Sequence, residues 1–305
     1  MKSIVSFFSC LMLTAPVIAD EFRILAWNVE SNRPESPPVS DAIVISTELS
    51  DMLGKPETAA QIVALTEVEP KEFEIYRAAV AKGFGKQVDF VTSATGGFRE
   101  SDSMMLIVDA TRFEIESAVE LHRFGGIRGN FNNAEDASAP EYGRYRARSP
   151  LAVRIIDKTS STPFWVIVNH LARGEAELRT DQARMLVKWA EKIGEPAIAA
   201  GDYNFDFDFK TQKGNPGFDA MISGGVWSWV KPDPLIDSNW SDDRRITDRR
   251  VDRYPDSILD FMFVANEAKG WNPESSVVVR PGDFPDNNKT SDHRPILGTF
   301  QIGSK

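Results

Sequence analysis

The chain has 305 residues, 42% of them hydrophobic and 26% charged, with a formal net charge of −10 and a single cysteine, Cys10. That is an ordinary globular balance, free of internal repeats and low-complexity tracts, with enough length for one large domain or two small ones. The acidic surplus excludes wholesale attraction to nucleic acid or to an anionic membrane, so any grip on phosphate must come from local basic clusters or from metal.

Residues 1–19 read as a secretory signal peptide. Lys2 gives a positive start, Ile4 to Leu13 is a short apolar stretch, Pro16 breaks it, and Val17-Ile18-Ala19 precedes a cut near Ala19/Asp20. The apolar run is too short for a stable membrane anchor. Cys10 leaves with the signal, so the exported chain has neither a thiolate nucleophile nor a cysteine-ligated zinc, and must rest on its core or on bound metal. The expectation is a secreted or periplasmic monomer folded as a single domain over 20–305.

Runs rich in Val, Ile, Leu and Phe predict strands at 22–27, 62–66, 104–108, 113–119, 151–156, 164–169, 197–200, 259–264, 276–280 and 296–300. Helices are expected at 40–53 behind a capping Ser40, at 71–82 after Pro70, and at 175–193, where Leu178, Leu186, Trp189 and Ile193 share one side and Gly194 closes the run. The short spacings predict hairpins of 104–108 with 113–119 and of 151–156 with 164–169. Strands thus alternate both with helices and with each other, which favours an α/β chain with mixed sheets. Residues 120–149 and 205–257 show no clear elements, and long loops of this kind are commonly functional.

Six apolar runs end on, or open from, a polar residue suited to metal or phosphate. Asn28 follows Ile24-Leu25-Ala26-Trp27, Glu67 follows Ile62 to Thr66, and His170 follows Trp165 to Asn169. Further on come Ala200-Gly201-Asp202-Tyr203-Asn204, Asp260 in Leu259-Asp260-Phe261, and Ser291-Asp292-His293-Arg294-Pro295. A strand that stops at Gly201 can turn and project the oxygens of Asp202 and Asn204, which suit magnesium, although Gly-Asp-x-Asn is also plain turn chemistry. Glu67 at a strand end needs a partner, either a metal or a salt bridge. His293 beside Asp292 reads as a base next to a metal ligand, or as a polar turn before the last strand. Asp260 is placed to orient that histidine and raise its pKa.

The ordered set Trp27-Asn28-Val29-Glu30, Leu65-Thr66-Glu67-Val68, Asn169-His170-Leu171, Gly201-Asp202-Tyr203-Asn204, Leu259-Asp260 and Ser291-Asp292-His293-Arg294-Pro295 resembles the endonuclease/exonuclease/phosphatase family. That superfamily includes DNase I, exonuclease III, neutral sphingomyelinases and inositol polyphosphate 5-phosphatases. The resemblance covers about 22 to 300 and implies a four-layer α/β/β/α sandwich. It implies Glu67 as the main metal ligand with Asn28 and Asp292 close by, for Mg²⁺ with Mn²⁺ as substitute. Asp202 and Asn204 would face the attacking water, or a second metal. His170, Asn204 and Arg148 would hold the phosphate, and His293, paired with Asp260, would be base or electrostatic stabiliser. The family's usual Gln-Glu stands here as Thr66-Glu67.

The first irregular segment carries Arg123, Arg128, Arg144, Arg146 and Arg148. The second carries Arg244, Arg245, Arg249, Arg250 and Arg253, nearly cancelled by Asp242, Asp243, Asp248 and Asp252. Arginine suits bidentate phosphate contact. Trp227, Trp229 and Trp240 are candidates to stack on bases, though such residues more often pack loops and cores. The resulting expectation is a phosphodiesterase acting on DNA or RNA. Its alternatives are an enzyme acting on a lipid or inositol phosphate head group, in the manner of a sphingomyelinase, and a non-catalytic binding protein on the same scaffold.

Overall fold

The computed structural model describes residues 20–30, 40–93, 102–121, 127–128, 148–239 and 257–303. The proposed signal peptide, the first arginine cluster apart from Arg148 and the Arg128 backbone, Trp240 and the whole second cluster lie outside them. In chain order the first half holds β1 (Asp20–Asn28), α1 (Ala42–Leu53), β2 (Ile62–Val68), α2 (Phe73–Phe84), β3 (Val88–Thr92), β4 (Ser103–Asp109), β5 (Phe113–Leu121) and β6 (Ile127–Arg128). Then follow β7 (Leu151–Asp157), β8 (Thr162–His170), α3 (Ala176–Ile193), β9 (Ala197–Asp208), α4 (Pro216–Ile222), β10 (Trp227–Trp229), β11 (Ser257–Ala265), β12 (Glu274–Val277) and β13 (Ile296–Ile302).

Two mixed sheets result, a six-stranded one ordered β12-β13-β1-β2-β4-β3 and a seven-stranded one ordered β10-β11-β9-β8-β7-β5-β6. Strand side chains alternate between faces, and the sequence uses both faces of the six-stranded sheet. Phe22, Ile24, Ala26, Ile62, Ala64, Met104, Leu106 and Val108 meet the second sheet in the central core. The intervening Leu25, Trp27, Val63, Leu65, Met105 and Ile107 meet α1 and α2 through Ile45, Leu49, Met52, Tyr76 and Val80. On the far side Met185, Leu186 and Trp189 of α3 and Phe218 of α4 close over the seven-stranded sheet. The layers are therefore α/β/β/α, as the motif order implies. Among the described residues no helix is long and apolar enough to cross a membrane.

Several local expectations are corrected. Helix α1 is capped by Asp41, whose side chain accepts from the Ile43 N–H, while Ser40 Oγ instead donates to the Glu30 carbonyl. The helix cap at Gly194 stands, with the left-handed φ of 64° that glycine adopts freely. The expected hairpin of 104–108 with 113–119 does not form: β4 pairs with β2 and β3, whereas β5 pairs with β6 and β7 in the other sheet. The chain crosses between sheets at Asp109, whose carboxylate takes Thr111 N–H and Lys86 Nζ, and at Arg112, which donates to Glu21 O and Asp157 Oδ2. The β7–β8 pairing is antiparallel as expected. Strand β12 ends at Val277, short of the expected span, and β3, β6, β10 and α4 were not anticipated. Trp227 donates to Leu186 O and Trp229 packs against Phe207, Phe218 and Phe261, so both are core residues rather than stacking platforms.

Gly201 does not end its strand. β9 runs on to Asp208, and Gly201 sits opposite Asn169 of β8 at φ 131°, where an added Cβ would lie 2.2 Å from the Asn169 carbonyl oxygen. The glycine is there because two backbones approach too closely for a side chain. Gly201→Ala should destabilise the fold by about 2–3 kcal/mol, read as a lower urea midpoint at unchanged slope. A midpoint equal to the parent's would show that the approach can relax.

Candidate active site

Parallel pairing fixes where the polar strand ends meet. β1 and β2 run parallel and bring Asn28 level with Thr66, one residue before Glu67. β8 and β9 run parallel and set His170 opposite Asp202. β11 then sets Asp260 opposite Asp202 on the other flank. Backbone irregularities aim the side chains: β2 shifts register between Leu65 and Val68, and Glu67 and Asn204 take left-handed φ values of 60° and 53°. Such φ values are uncommon in non-glycine residues and gather at functional sites.

Glu67, His170 and Asp202 form one buried cluster, each offering a ligand atom within 4.8 Å of the others. His170 Nε2 lies 3.5 Å from both Glu67 Oε1 and Asp202 Oδ2. Asn28 Nδ2 donates to the same two oxygens at 3.2 and 3.0 Å, and its Oδ1 accepts the Glu30 N–H at 3.0 Å. Asn28 thus stands as the donor that holds the two carboxylates together. Two carboxylates and an imidazole, close-set and buried, are a donor set that fits a divalent cation.

The second cluster centres on His293. Its Nδ1 meets Asp260 Oδ2 at 2.8 Å, and its Nε2 stands 3.9 Å from Asp292 Oδ1. Burial alone would lower the His293 pKa, but the Asp260 carboxylate, with Asp202 and Asp292 beyond it, outweighs burial and raises it well above the usual imidazole value. Ser238 Oγ donates to Asp260 Oδ2 at 2.7 Å and accepts from the Leu259 and Asp260 N–H groups, satisfying the irregularity in β11. The loop before β13 is fixed by Trp27 Nε1 on His293 O and by Ser291 Oγ on Asn28 O.

Asp202 connects the clusters. Burial pushes its pKa up to about 6, the charges of Asp260 and Glu67 add to that, and His293 and the Asn204 N–H act against it. Asn204 Nδ2 donates to Leu171 O at 3.2 Å, and Arg148 Nη1 reaches the same carbonyl at 3.3 Å. The rest of the Arg148 guanidinium is held by Asp102 Oδ2 at 3.0 and 3.1 Å. The structure thus gathers Asn28, Glu67, His170, Asp202, Asn204, Asp260, Asp292 and His293 in and around these two clusters, with Arg148 against the Asn204 flank.

Three residues beside these clusters were not anticipated. Ser238 and its neighbour Asn239 lie in the tract read as irregular. Arg179 in the first turn of α3 is buried, and its Nη1 holds the Ala172 and Arg173 carbonyls. Burial lowers the Arg179 pKa, and Asp206 and Asp202 act to raise it. Only the turn-forming composition of Asp237-Ser238-Asn239 hinted at that segment, and nothing local marked Arg179.

The chain has the endonuclease/exonuclease/phosphatase, or DNase I-like, fold. It is similar to an endonuclease/exonuclease/phosphatase from Bacteroides vulgatus, with 16% identity, a TM-score of 0.65, and coverage of 93% of this chain and 99% of that one. A mannosyl-6-phosphatase of Bacteroides thetaiotaomicron shares 16% identity at a TM-score of 0.62, with 91% and 98% covered. TDP2 of D. rerio, solved with a single-strand DNA product, shares 14% identity at a TM-score of 0.59, with 92% and 98% covered. No protein-family model and no curated protein matches the sequence.

Proposed function

We propose that the protein is an exported, metal-dependent phosphoesterase that hydrolyses phosphodiester bonds of nucleic acid by in-line attack of water. The observation that carries this reading is the placement of the His293–Asp260 pair beside Asp202, which in turn adjoins Glu67 and His170. A nucleophile's proton, a phosphoryl charge and a metal each have a residue of the right type within that space.

Glu67 and Asp292 would supply negative charge for Mg²⁺ or Mn²⁺, with Asp202, His170 and Asn28 around the Glu67 carboxylate. When bound, the ion neutralises charge on the phosphoryl oxygens. Asp202, at about 6, is ionised at neutral pH yet basic enough to take the water's proton at Oδ. His293, held as imidazolium by Asp260, donates from Nε2 to a phosphoryl oxygen instead of acting as the base. His170, Asn204 and Arg148 then orient the phosphate from the other side. This division of labour follows from the opposite environments of the two groups, one carboxylate made more basic and one imidazole kept charged.

A phosphatase acting on a small polar phosphate ester is the second reading, favoured by the net charge of −10. The test is a panel of plasmid DNA, RNA, sphingomyelin, inositol phosphates and bis-p-nitrophenyl phosphate, with magnesium, manganese or calcium and with chelator. Hydrolysis of the plasmid DNA or RNA and of the aryl diester is expected with magnesium or manganese and none with chelator. Nucleic-acid binding should weaken steeply with salt, because phosphate contacts release counterions. Weak salt dependence with turnover of the small esters would select the second reading, and inactivity on every substrate would sink both.

A further inference from the structure

We infer that Asn239 is a substrate-contacting residue that reads a polar group, a hydroxyl or an amide, beside the scissile phosphate; the assignment rests on the phosphoesterase reading above. Asn239 pairs with His293 in an isolated antiparallel bridge. Residues opposed in such a pair project to the same face of the sheet, with Cα atoms about 4.5–5.5 Å apart. The Asn239 amide therefore shares the face of the imidazole that adjoins Asp260 and Asp202.

The backbone that carries it is fixed from several directions. The Ser238 carbonyl accepts the Arg294 N–H at 2.6 Å, the Asp237 carbonyl accepts Arg294 Nη1 at 3.0 Å, and Asp237 Oδ1 accepts the Ser257 N–H at 2.7 Å. Ser238 Oγ is engaged with Asp260 and its strand. Against this rigid frame the Asn239 side chain is an exception. The residue is 3% exposed, yet among the described residues neither Nδ2 nor Oδ1 has a hydrogen-bond partner. A buried amide with donor and acceptor both unsatisfied destabilises a fold and is rare in one that has no use for it. Leucine, of similar size, would serve packing better. The amide offers two donors and an acceptor side by side, which matches a group that can both accept and donate, such as a sugar or polyol hydroxyl or a base amide. A site of this kind discriminates strongly, because a substrate that lacks the group leaves the amide unpaired.

The experiment compares Asn239→Ala and Asn239→Leu with the parent full chain on an oligonucleotide, an inositol phosphate and bis-p-nitrophenyl phosphate, whose aryl groups offer no donor, alongside thermal melts. The parent should prefer the oligonucleotide or the inositol phosphate over the aryl diester. Asn239→Ala should lower kcat/KM on that preferred substrate by about 10–100-fold and on the aryl diester by less than about threefold. Asn239→Leu should lose the same preference while its Tm rises by about 2–4 °C, since an unsatisfied buried amide is removed. Equal losses on all substrates, no loss on any, a parent without the preference, or a lower Tm in Asn239→Leu would overturn the assignment. A parent inactive on every substrate with metal present would instead sink the phosphoesterase reading itself, so the two failures are distinguishable.

Discussion

Replacing His293 with alanine is expected to lower kcat by about 10²–10³-fold with the fold intact. The imidazole is buried beside Asp260, and its protonated form is favoured by that contact and by Asp202 and Asp292. Alanine removes the cation but leaves Asp260 with Ser238 Oγ and the strand contacts that fix it. The effect on Asp202 separates a stabiliser from a base. Burial raises Asp202 to about 6 and the His293 charge acts in the opposite direction, so deleting that charge raises Asp202 further. As the proposed base Asp202 would work as the carboxylate, the form present above its pKa, so activity would be lost as pH falls through that value. The acidic limb of the pH–rate profile in His293→Ala should therefore lie at higher pH than in the parent. A bound metal ion lowers Asp202 in both proteins, so the direction of the difference is the test. A limb that stays in place, or moves to lower pH, would remove Asp202 as the base. His293→Gln keeps a donor without the charge and should show the same displacement with a smaller loss of rate.

The residues just discussed were legible in the sequence for a physical reason. Asn28, Glu67, His170, Asp202 and Asp260 each interrupt or end a run of buried apolar residues, and a polar group there must have a partner or a use. Their order along the chain carried more than their types did, because each alone also reads as a turn or an ion pair. What resisted reading was everything set by tertiary approach. Gly201 looks like a turn because glycine usually marks one, but here it marks contact with the Asn169 carbonyl. Strands β4 and β5 are joined by three residues, Ala110 to Arg112, which looks like a hairpin, but β4 is buried on both faces and belongs between β2 and β3. Strand periodicity reports how many faces are covered and does not name the sheet. Ser238 and Asn239 sit among prolines and acids, and their roles appear only when Arg294 draws that segment onto the loop before β13. The Arg148 flank shows the same limit: Asp102 positions Arg148 from 46 residues away in sequence.

Glu67→Gln should abolish the metal response and lower kcat by about 10³-fold or more, the loss of several kcal/mol of charge stabilisation. Its effect on stability distinguishes a ligand from the ion-pair residue that a carboxylate at a strand end also suggests. Glu67 Oε1 and Asp202 Oδ2 lie against the same two groups, Asn28 Nδ2 and His170 Nε2, and the Glu67 charge raises the Asp202 pKa. Two buried carboxylates so arranged repel each other, and neutralising one relieves that repulsion. The metal-free Tm of Glu67→Gln should therefore equal or exceed that of the metal-free parent. The parent should gain about 2.7 kcal/mol at a metal concentration one hundred times its Kd, while the variant should gain nothing. Thermal melts with chelator, magnesium and manganese read both quantities on the same samples. If Glu67 instead served as a structural ion-pair partner, Glu67→Gln would melt lower than the parent under chelator and the metal would act on both proteins alike. On the proposed reading a cation held at Glu67 offsets the repulsion between the two carboxylates, and a variant more stable without metal but inert toward it is the signature of that arrangement.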